Sequence, residues 1–301
     1  MLRSMFSGVS GLRNHQVKMD VIGNNIANVN TVGYKMSRTT FQEMYSQTLR
    51  TASAATGTAG GTNPQQVGLG VSTASIDVVH EGGAMQSTDR ALDFAISGDG
   101  FFIVNQGENN FYTRAGNLYL DDEGFLVTAN GLFVQGVCLL DSGNIPSGAS
   151  GMKVMTQANW NAVTEATLAT SGTANLGRIL IPEGKFTSFA VDKRGLITGI
   201  DNNDNLVPIG QILMATFVNP PGLTRTGNNL YEKSNNSGTP QIHRPSAGGA
   251  GEIISGSLEM SNVDLSREFT DMIITQRGFQ ANSRVITVSD TLLEELINLK
   301  R

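Results

Sequence analysis

The sequence has little of what nucleic-acid-binding and disulfide-bonded proteins need. Charged residues make up only 16% of its 301 residues, whereas about a quarter is usual in soluble proteins. The formal net charge is -5 and no run rich in Lys or Arg occurs, so no nucleic-acid partner is expected. The one cysteine, Cys138, excludes an intrachain disulfide. Its neighbours Val137 and Leu139 indicate a small core residue.

Long hydrophobic runs are also missing. The longest, residues 212–218, is far shorter than a membrane span, so no membrane insertion is predicted. The opening MLRSMFSGVSGLRNHQ has neither the apolar run nor the small-residue cleavage site of a secretion signal. By these criteria alone the protein would be assigned to the cytoplasm.

Signals of catalysis and of cofactor binding are scarce. The three histidines, His15, His80 and His243, lie far apart in the sequence, and nothing resembles a nucleophile elbow. The string Gly98-Asp99-Gly100 precedes an apolar strand, whereas a dinucleotide-binding loop follows one. The sequence therefore predicts no enzyme and no cofactor.

One string begins like a calcium loop. Asp201, Asn203 and Asn205 have the spacing of its first three ligands, but Leu206 stands where Gly is required and Ile212 where Glu is required. We interpret this string as a hairpin turn and predict no metal site.

What the chain does have is a helical pattern at each end. Over residues 4–28, apolar side chains recur at steps that indicate an amphipathic helix. Glycines 8, 11 and 23 interrupt it, and each costs about 1 kcal/mol relative to Ala. Such a helix is marginal alone and needs a partner. Its predicted seam consists of Met5, Val9, Leu12, Met19, Ile22 and Ile26.

The last segment, residues 262–300, carries the strongest periodic signal. Its side chains alternate four- and three-residue steps, which is the spacing of a coiled coil. Ser261 and Asp264 resemble a capping box at its start. The alternative is one helix lying on a globular core. The predicted apolar seam consists of Leu265, Phe269, Met272, Phe279, Ile286, Leu293 and Ile297. We expect the two terminal helices to pair with each other and with copies of themselves.

The middle of the chain reads as β-structure. LDDEGFLV (120–127) and VDKRGLIT (191–198) share an Asp-x-x-Gly hairpin pattern. The predicted class is α+β, a mainly antiparallel β domain over residues 76–261 with an insertion near 141–178. Residues 34–75 are predicted to be a linker with a short helical piece around 39–50. Residues 1–33 and 262–301 form the predicted polymerisation domain.

Four asparagines, Asn24, Asn25, Asn28 and Asn30, cluster at the end of the first helix. Because their side chains both donate and accept hydrogen bonds, they could cap the helix or bond to neighbouring subunits. Capping is the favoured interpretation.

Three strings together resemble a known family. MDVIGNNIANVNTVGYK near the start, LDFAISGDGFFIV with YTRAGNLYLDDEGFLVT in the middle, and SNVDLSREFTDMIITQRGFQANSRVITVSDTLLEELINLKR at the end are similar to the bacterial flagellar rod and hook family. The opening MLRSMFSGVSGL and the pair Gly278-Phe279 resemble the hook branch of Bacillus-type bacteria. The distal rod branch is the alternative. A secreted adhesin is an alternative from another class.

The resemblance implies a structural subunit of a flexible extracellular tube that transmits torque from motor to filament. Its implied partners are further copies of itself, the distal rod and hook–filament junction proteins, the hook cap and the flagellar type III export apparatus. Export without a cleaved signal then replaces the cytoplasmic assignment. Phe41 and Tyr45 resemble the motif that early export substrates present to the export gate. Alternatively, they form an i,i+4 packing pair.

Overall fold

The computed structural model describes residues 2–55, 60–107, 109–139, 176–182, 185–202 and 204–299. Contacts divide the chain into two units. We call Met1–Asn28, Met36–Val79 and Val263–Arg301 the helical unit, and Val29–Lys35 with His80–Asn262 the β unit. Segments from both ends of the sequence meet in the helical unit.

Two long helices dominate the helical unit. Helix α1 spans Leu2–Ala27 and helix α2 spans Leu265–Asn298. They pair antiparallel, with Gly11 next to Asn282 and Gly278 next to His15. The predicted pairing of the terminal helices is confirmed, and the observed helix ends lie within a few residues of the predicted ones.

The start of α2 differs from the predicted capping box. Asp264 is itself the N-cap, and its Oδ1 accepts hydrogen bonds from the backbone N–H groups of Ser266 at 2.9 Å and Arg267 at 3.4 Å. The box prediction, which began at Ser261, was therefore wrong. A carboxylate at the N-cap satisfies free N–H groups and interacts favourably with the helix dipole.

Four strands complete the helical unit: β1 (Ser37–Glu43), β2 (Ser46–Arg50), β3 (Gln65–Gly68) and β4 (Val71–Val78). Strand β1 pairs with β4 and β2 pairs with β3, both antiparallel. The predicted helical piece around 39–50 was wrong, and paired strands occupy much of the predicted linker. Cross-strand pairs such as Thr39 with Ile76 bring β-branched residues together, which favours strands.

The β unit holds the remaining strands, and their observed pairings are all antiparallel. The strands are β5 (Met85–Ser87), β6 (Phe94–Ser97), β7 (Phe101–Gln106), β8 (Asn109–Thr113), β9 (Leu118–Leu120), β10 (Leu126–Thr128), β11 (Phe133–Cys138), β12 (Gly177–Arg178), β13 (Phe186–Val191), β14 (Leu196–Asp201), β15 (Leu206–Ile212), β16 (Met214–Thr216), β17 (Thr224–Gly227), β18 (Leu230–Glu232), β19 (Gln241–His243), β20 (Glu252–Ser255) and β21 (Ser257–Glu259). One sheet runs in the order β13-β14-β15-β11-β7-β8-β18-β17. The predicted α+β class with an antiparallel middle is confirmed.

Both predicted hairpins are confirmed. In each, the Gly N–H donates to the Asp carbonyl at 2.8 Å, from Gly124 to Asp121 and from Gly195 to Asp192. The two glycines have φ angles of 82° and 68°, values that residues with a side chain rarely adopt. The Asp201 turn, which resembles a calcium loop in sequence, joins β14 to β15 as a hairpin.

Large apolar side chains fill the core of the β unit. Phe102, Val134 and Met214 are fully buried in it. Cys138 is buried in the same core, as predicted. The predicted insertion near 141–178 falls almost entirely on residues 140–175, which lie outside the described residues.

Candidate functional site

The contact between α1 and α2 is made largely by small and polar residues. On α2 the most buried side chains are Glu268, Thr275 and Ser289. Gly11 approaches Asn282 and Gly278 approaches His15 between the helices. A helix that packs only within its own chain would bury its apolar stripe instead.

Other large apolar side chains of α2 are exposed. Ile274 is 59% exposed and Leu296 is 52% exposed. We call this set the outer face of α2, and it consists of Phe269, Ile273, Ile274, Val285, Val288, Leu292, Leu296 and Leu299. Exposed apolar side chains in this number on one helix make it a candidate interaction surface.

The predicted seam is distributed over both sides of the helix pair. Ile22 is buried, whereas Leu265, Phe269 and Ile297 are exposed. Val9 is also exposed, at 37%. The half-buried members are Met5, Leu12, Met19, Ile26, Met272, Phe279, Ile286 and Leu293. Ile286, a member of the seam, faces Gly8 of α1. The role of the seam in self-assembly stays a prediction.

Asn25 connects three segments of the helical unit. Its side-chain amide donates to the Ser37 carbonyl at 2.9 Å and to Glu268 Oε1 at 3.3 Å, and its Oδ1 accepts from the Ser37 N–H at 3.0 Å. Glu268 is buried, and this burial raises its pKa despite the opposing hydrogen bond from Asn25. Asn25 thus fixes the end of α1 to β1 and to α2.

Other asparagines of the cluster act locally. The Asn28 side chain donates to the Asn24 carbonyl at 2.9 Å and to Asn24 Oδ1 at 3.0 Å, at the end of α1. This geometry is compatible with the capping interpretation. Asn30 follows the helix and is exposed.

A buried cluster of charges lies in the β unit. Lys35 Nζ donates to Glu259 Oε1 at 2.6 Å, and Arg114 Nη1 donates to Glu259 Oε2 at 3.2 Å. The Gly83 N–H adds a third bond to the carboxylate at 3.0 Å. The three charged side chains are at most 2% exposed. We call Lys35, Arg114 and Glu259 the charge clamp.

The clamp ties down the segment that follows α1. We call Val29–Lys35 the strap, and contacts assign it to the β unit. The Gly33 N–H donates to the Glu259 carbonyl at 2.8 Å, and Asn229 Nδ2 donates to the Val32 carbonyl at 2.9 Å. Gly33 has a φ of 68°, and a Cβ there would lie 2.6 Å from the backbone nitrogen of Ala115. Only glycine therefore fits at this position.

The clamp surroundings carry an excess of positive charge. Burial lowers the pKa of Lys35, although the Glu259 carboxylate acts in the opposite direction. His80 packs edge-on against Phe101 with ring centroids 5.4 Å apart. Burial, and then the charges of Lys35 and nearby arginines, lower its pKa to about 4. His80 is thus neutral at pH 7.

No direct signal in the sequence predicts the clamp, because Lys35 and Glu259 are separated by 224 positions. A single charge between apolar neighbours, as at Glu259 between Leu258 and Met260, was the one available hint.

Phe41 and Tyr45 do not form the helical packing pair considered above. Phe41 lies in β1 and Tyr45 follows that strand, so helical i,i+4 spacing does not apply. Phe41 is 38% exposed and Tyr45 87% exposed. The export-gate motif stays a prediction, since it concerns the unfolded chain.

Charged side chains line a cavity of the β unit. This cavity of about 520 Å³ is lined by charges of both signs, among them Asp192, Lys193, Arg194 and Glu252. Ligand pockets are usually predominantly apolar. Within the described residues, no group of His, Cys, Asp or Glu has the arrangement of a metal site, and no helix is long and apolar enough to cross a membrane.

Comparison with known proteins accounts for these features. Residues 5–35 match the family described as flagella basal body rod protein, and residues 95–199 match the flagellar hook protein FlgE/F/G D1 domain. Residues 254–299 match the flagellar basal body rod FlgEFG protein C-terminal family. A flagellar basal-body rod protein FlgG of Bacillus subtilis is 47% identical over 302 positions, covering 100% of both chains. The chain belongs to the flagellar rod and hook protein family.

The family includes relatives named as hook proteins and relatives named as rod proteins. A flagellar hook protein FlgE of Borreliella burgdorferi is 35% identical over 441 positions, and a flagellar basal-body rod protein FlgG of the same bacterium is 32% identical over 305 positions. Each alignment covers 100% of both chains. The family resemblance predicted from sequence is confirmed, and both hook and rod proteins are among the relatives.

Proposed function

We propose that this protein is a structural subunit of the flagellar hook, which polymerises through its terminal helices into a hollow, flexible tube. The observation that supports this most directly is the outer face of α2, whose apolar side chains are exposed in the single chain. Burying them against further copies would gain about 25 cal/mol for each Å² of apolar surface removed from water. The role is structural, without catalysis.

The wider assignments are part of the same proposal. The chain leaves the cell through the flagellar type III export apparatus and assembles outside it. Its neighbours along the axis are the distal rod and the hook–filament junction proteins, and a hook cap directs its assembly. The adhesin alternative gains no support from the family to which the chain belongs.

A distal rod subunit is the second candidate. It is favoured by the relative from Bacillus subtilis, which is 47% identical along its whole length and carries the rod name. The two relatives from Borreliella burgdorferi favour the hook by a small margin, 35% against 32% identity.

Deletion of the gene in the source bacterium separates the two candidates. Electron micrographs of purified basal bodies should show complete rods that end without a hook if the protein is a hook subunit. Rods that stop short indicate the distal rod instead. Normal flagella in the deletion strain would contradict both candidates.

Removing residues 265–301 tests the role of the helices. Because the core of the β unit contains none of these residues, the shortened chain should stay folded and soluble but should not polymerise. Normal tubes from the shortened chain would overturn the proposal. In the full-length monomer we expect both helices to stay paired but to exchange their amides faster than the strands of the β unit.

A further inference from the structure

The glycines of the two helices are not equivalent. A Cβ added at Gly11 would lie 2.5 Å from Asn282 Nδ2, and one added at Gly278 would lie 2.8 Å from His15 Cε1. At Gly8 the nearest atom, Ile286 Cγ1, would be 3.4 Å away. Gly11 and Gly278 are therefore notches, each filled by a side chain of the opposite helix, whereas a Cβ at Gly8 would make an ordinary contact.

Gly23 on α1 provides the contrast. Nothing lies within 4 Å of a Cβ built there. Glycine in the middle of a helix is unfavourable on conformational grounds, so the notches have a specific reason to be glycine that Gly23 lacks.

The notches alternate between the helices. Along α1, the positions Gly8, Gly11 and His15 face Ile286, Asn282 and Gly278 in turn. Gly8 and Gly11 of α1 face the side chains of Ile286 and Asn282, and Gly278 of α2 faces the side chain of His15. Sliding one helix by a turn, about 5.4 Å, would take His15 away from its notch.

We infer that Gly11 and Gly278, with the side chains of Asn282 and His15 that fill them, determine the register of α1 against α2. The Lys18–Asp271 ion pair, with N···O at 3.6 Å, is compatible with this register but is partly exposed. Exposed ion pairs are weak, so the notches carry the specificity.

The consequence for assembly rests on the proposed function. A subunit whose helices slip by one turn displaces the outer face of α2 relative to α1 and cannot match its neighbours. The register itself does not depend on that function and can be measured in the isolated chain.

Cysteine pairs measure the register directly. The only native cysteine, Cys138, is buried. In the purified full-length chain, Gly11→Cys with Asn282→Cys should close an intrachain disulfide under mild oxidation, detected as a mobility shift without reductant. The control, Gly23→Cys with Asn282→Cys, places the first cysteine about 18 Å further along α1.

We expect a disulfide yield roughly tenfold higher for the first pair, because a disulfide needs its Cβ atoms about 4 Å apart. Equal yields, or a higher yield for the control, would overturn the register. Failure of the first pair to form a disulfide would do the same.

Second-site rescue tests the specificity in cells. Gly11→Ala and Gly278→Ala should reduce swimming, whereas Gly23→Ala should leave it intact. Adding Asn282→Ala should restore swimming to Gly11→Ala but not to Gly278→Ala, and adding His15→Ala should do the reverse. A role of these glycines in helix flexibility alone would not give such matched rescue.

The two experiments separate the inference from the proposed function. If the disulfide forms in register but deletion of the gene leaves flagella normal, the register stands and the proposed function fails. If deletion removes the hook but both alanine variants swim normally, the proposed function stands and the register inference fails.

Discussion

The β unit and the helical unit use their apolar side chains in opposite ways. In the β unit, Phe102 and Ile103 are at most 1% exposed. In the helical unit, Ile273 and Ile274 of α2 are more than half exposed, while glycines take part in the contact between the helices. The β unit buries its large apolar side chains in a core, whereas the helical unit leaves several of them exposed.

Charges follow the same division. The β unit buries a carboxylate between two cations in the charge clamp. In the helical unit, the Lys18–Asp271 pair is partly exposed. A buried charge with partners is costly to disturb, and an exposed pair is not. The units should therefore respond very differently to substitution.

Glu259→Ala should give the largest effect. It leaves Lys35 and Arg114 buried without a counter-charge, so the β unit should lose about 3–5 kcal/mol of unfolding free energy. Urea unfolding followed by circular dichroism measures this loss. The control is Glu252→Ala, because Glu252 is half exposed and lies 3.9 Å from Lys193; it should cost less than about 1 kcal/mol. If both substitutions lower the unfolding free energy equally, the buried charge clamp contributes no more to stability than an exposed ion pair.

Local patterns in the sequence predicted much of the fold. The helices were predictable because their periodicity extends over many turns, and the hairpins because Asp and Gly occupy turn positions that few residues can fill. Strands β1 to β3 and the first part of β4 were missed because their small polar residues lack a periodic signal and their partners are distant. For example, Ser37 pairs with Val78.

The candidate site was harder to predict. A search for a periodic seam selects large apolar residues, so it missed the contacts of Gly11 with Asn282 and of Gly278 with His15. Lys35 and Glu259 are too far apart in sequence to be paired without the fold. The outer face of α2 could be recognised only from the exposed fractions of its side chains in the structure.

Acid should destabilise the β unit through His80. The pKa of His80 is about 4 in the folded chain against 6.5 for an unperturbed histidine. The unfolded state therefore binds the proton first, and stability that is complete above pH 6.5 is lost as the pH falls towards 4. The loss amounts to at most about 3 kcal/mol. His80→Phe should flatten this part of the pH profile in urea unfolding; an unchanged profile would assign the acid sensitivity to another group.

Asp264→Ala should have a smaller, local effect in the helical unit. It removes the hydrogen bonds to the N–H groups of Ser266 and Arg267 at the start of α2. Loss of an N-cap costs about 1 kcal/mol. In assembled protein, amide exchange should accelerate in the first turn of α2 only. Asp290→Ala, an exposed acid in the middle of the helix, is the control and should leave that turn unchanged.

Ile274→Ser should have the smallest effect on the stability of the free subunit, yet it should prevent assembly. Ile274 is 59% exposed, so its replacement should change the unfolding free energy by less than about 0.5 kcal/mol. Ile103→Ser, at a position 1% exposed in the β unit, should destabilise the subunit by several kcal/mol because it creates a cavity and buries a hydroxyl.

With normal amounts of secreted subunit, cells carrying Ile274→Ser should not swim, whereas Gln280→Ser should be neutral in both assays. If Ile274→Ser cells swim normally, the outer face of α2 is not an assembly surface, and the contrast between the two units has another origin.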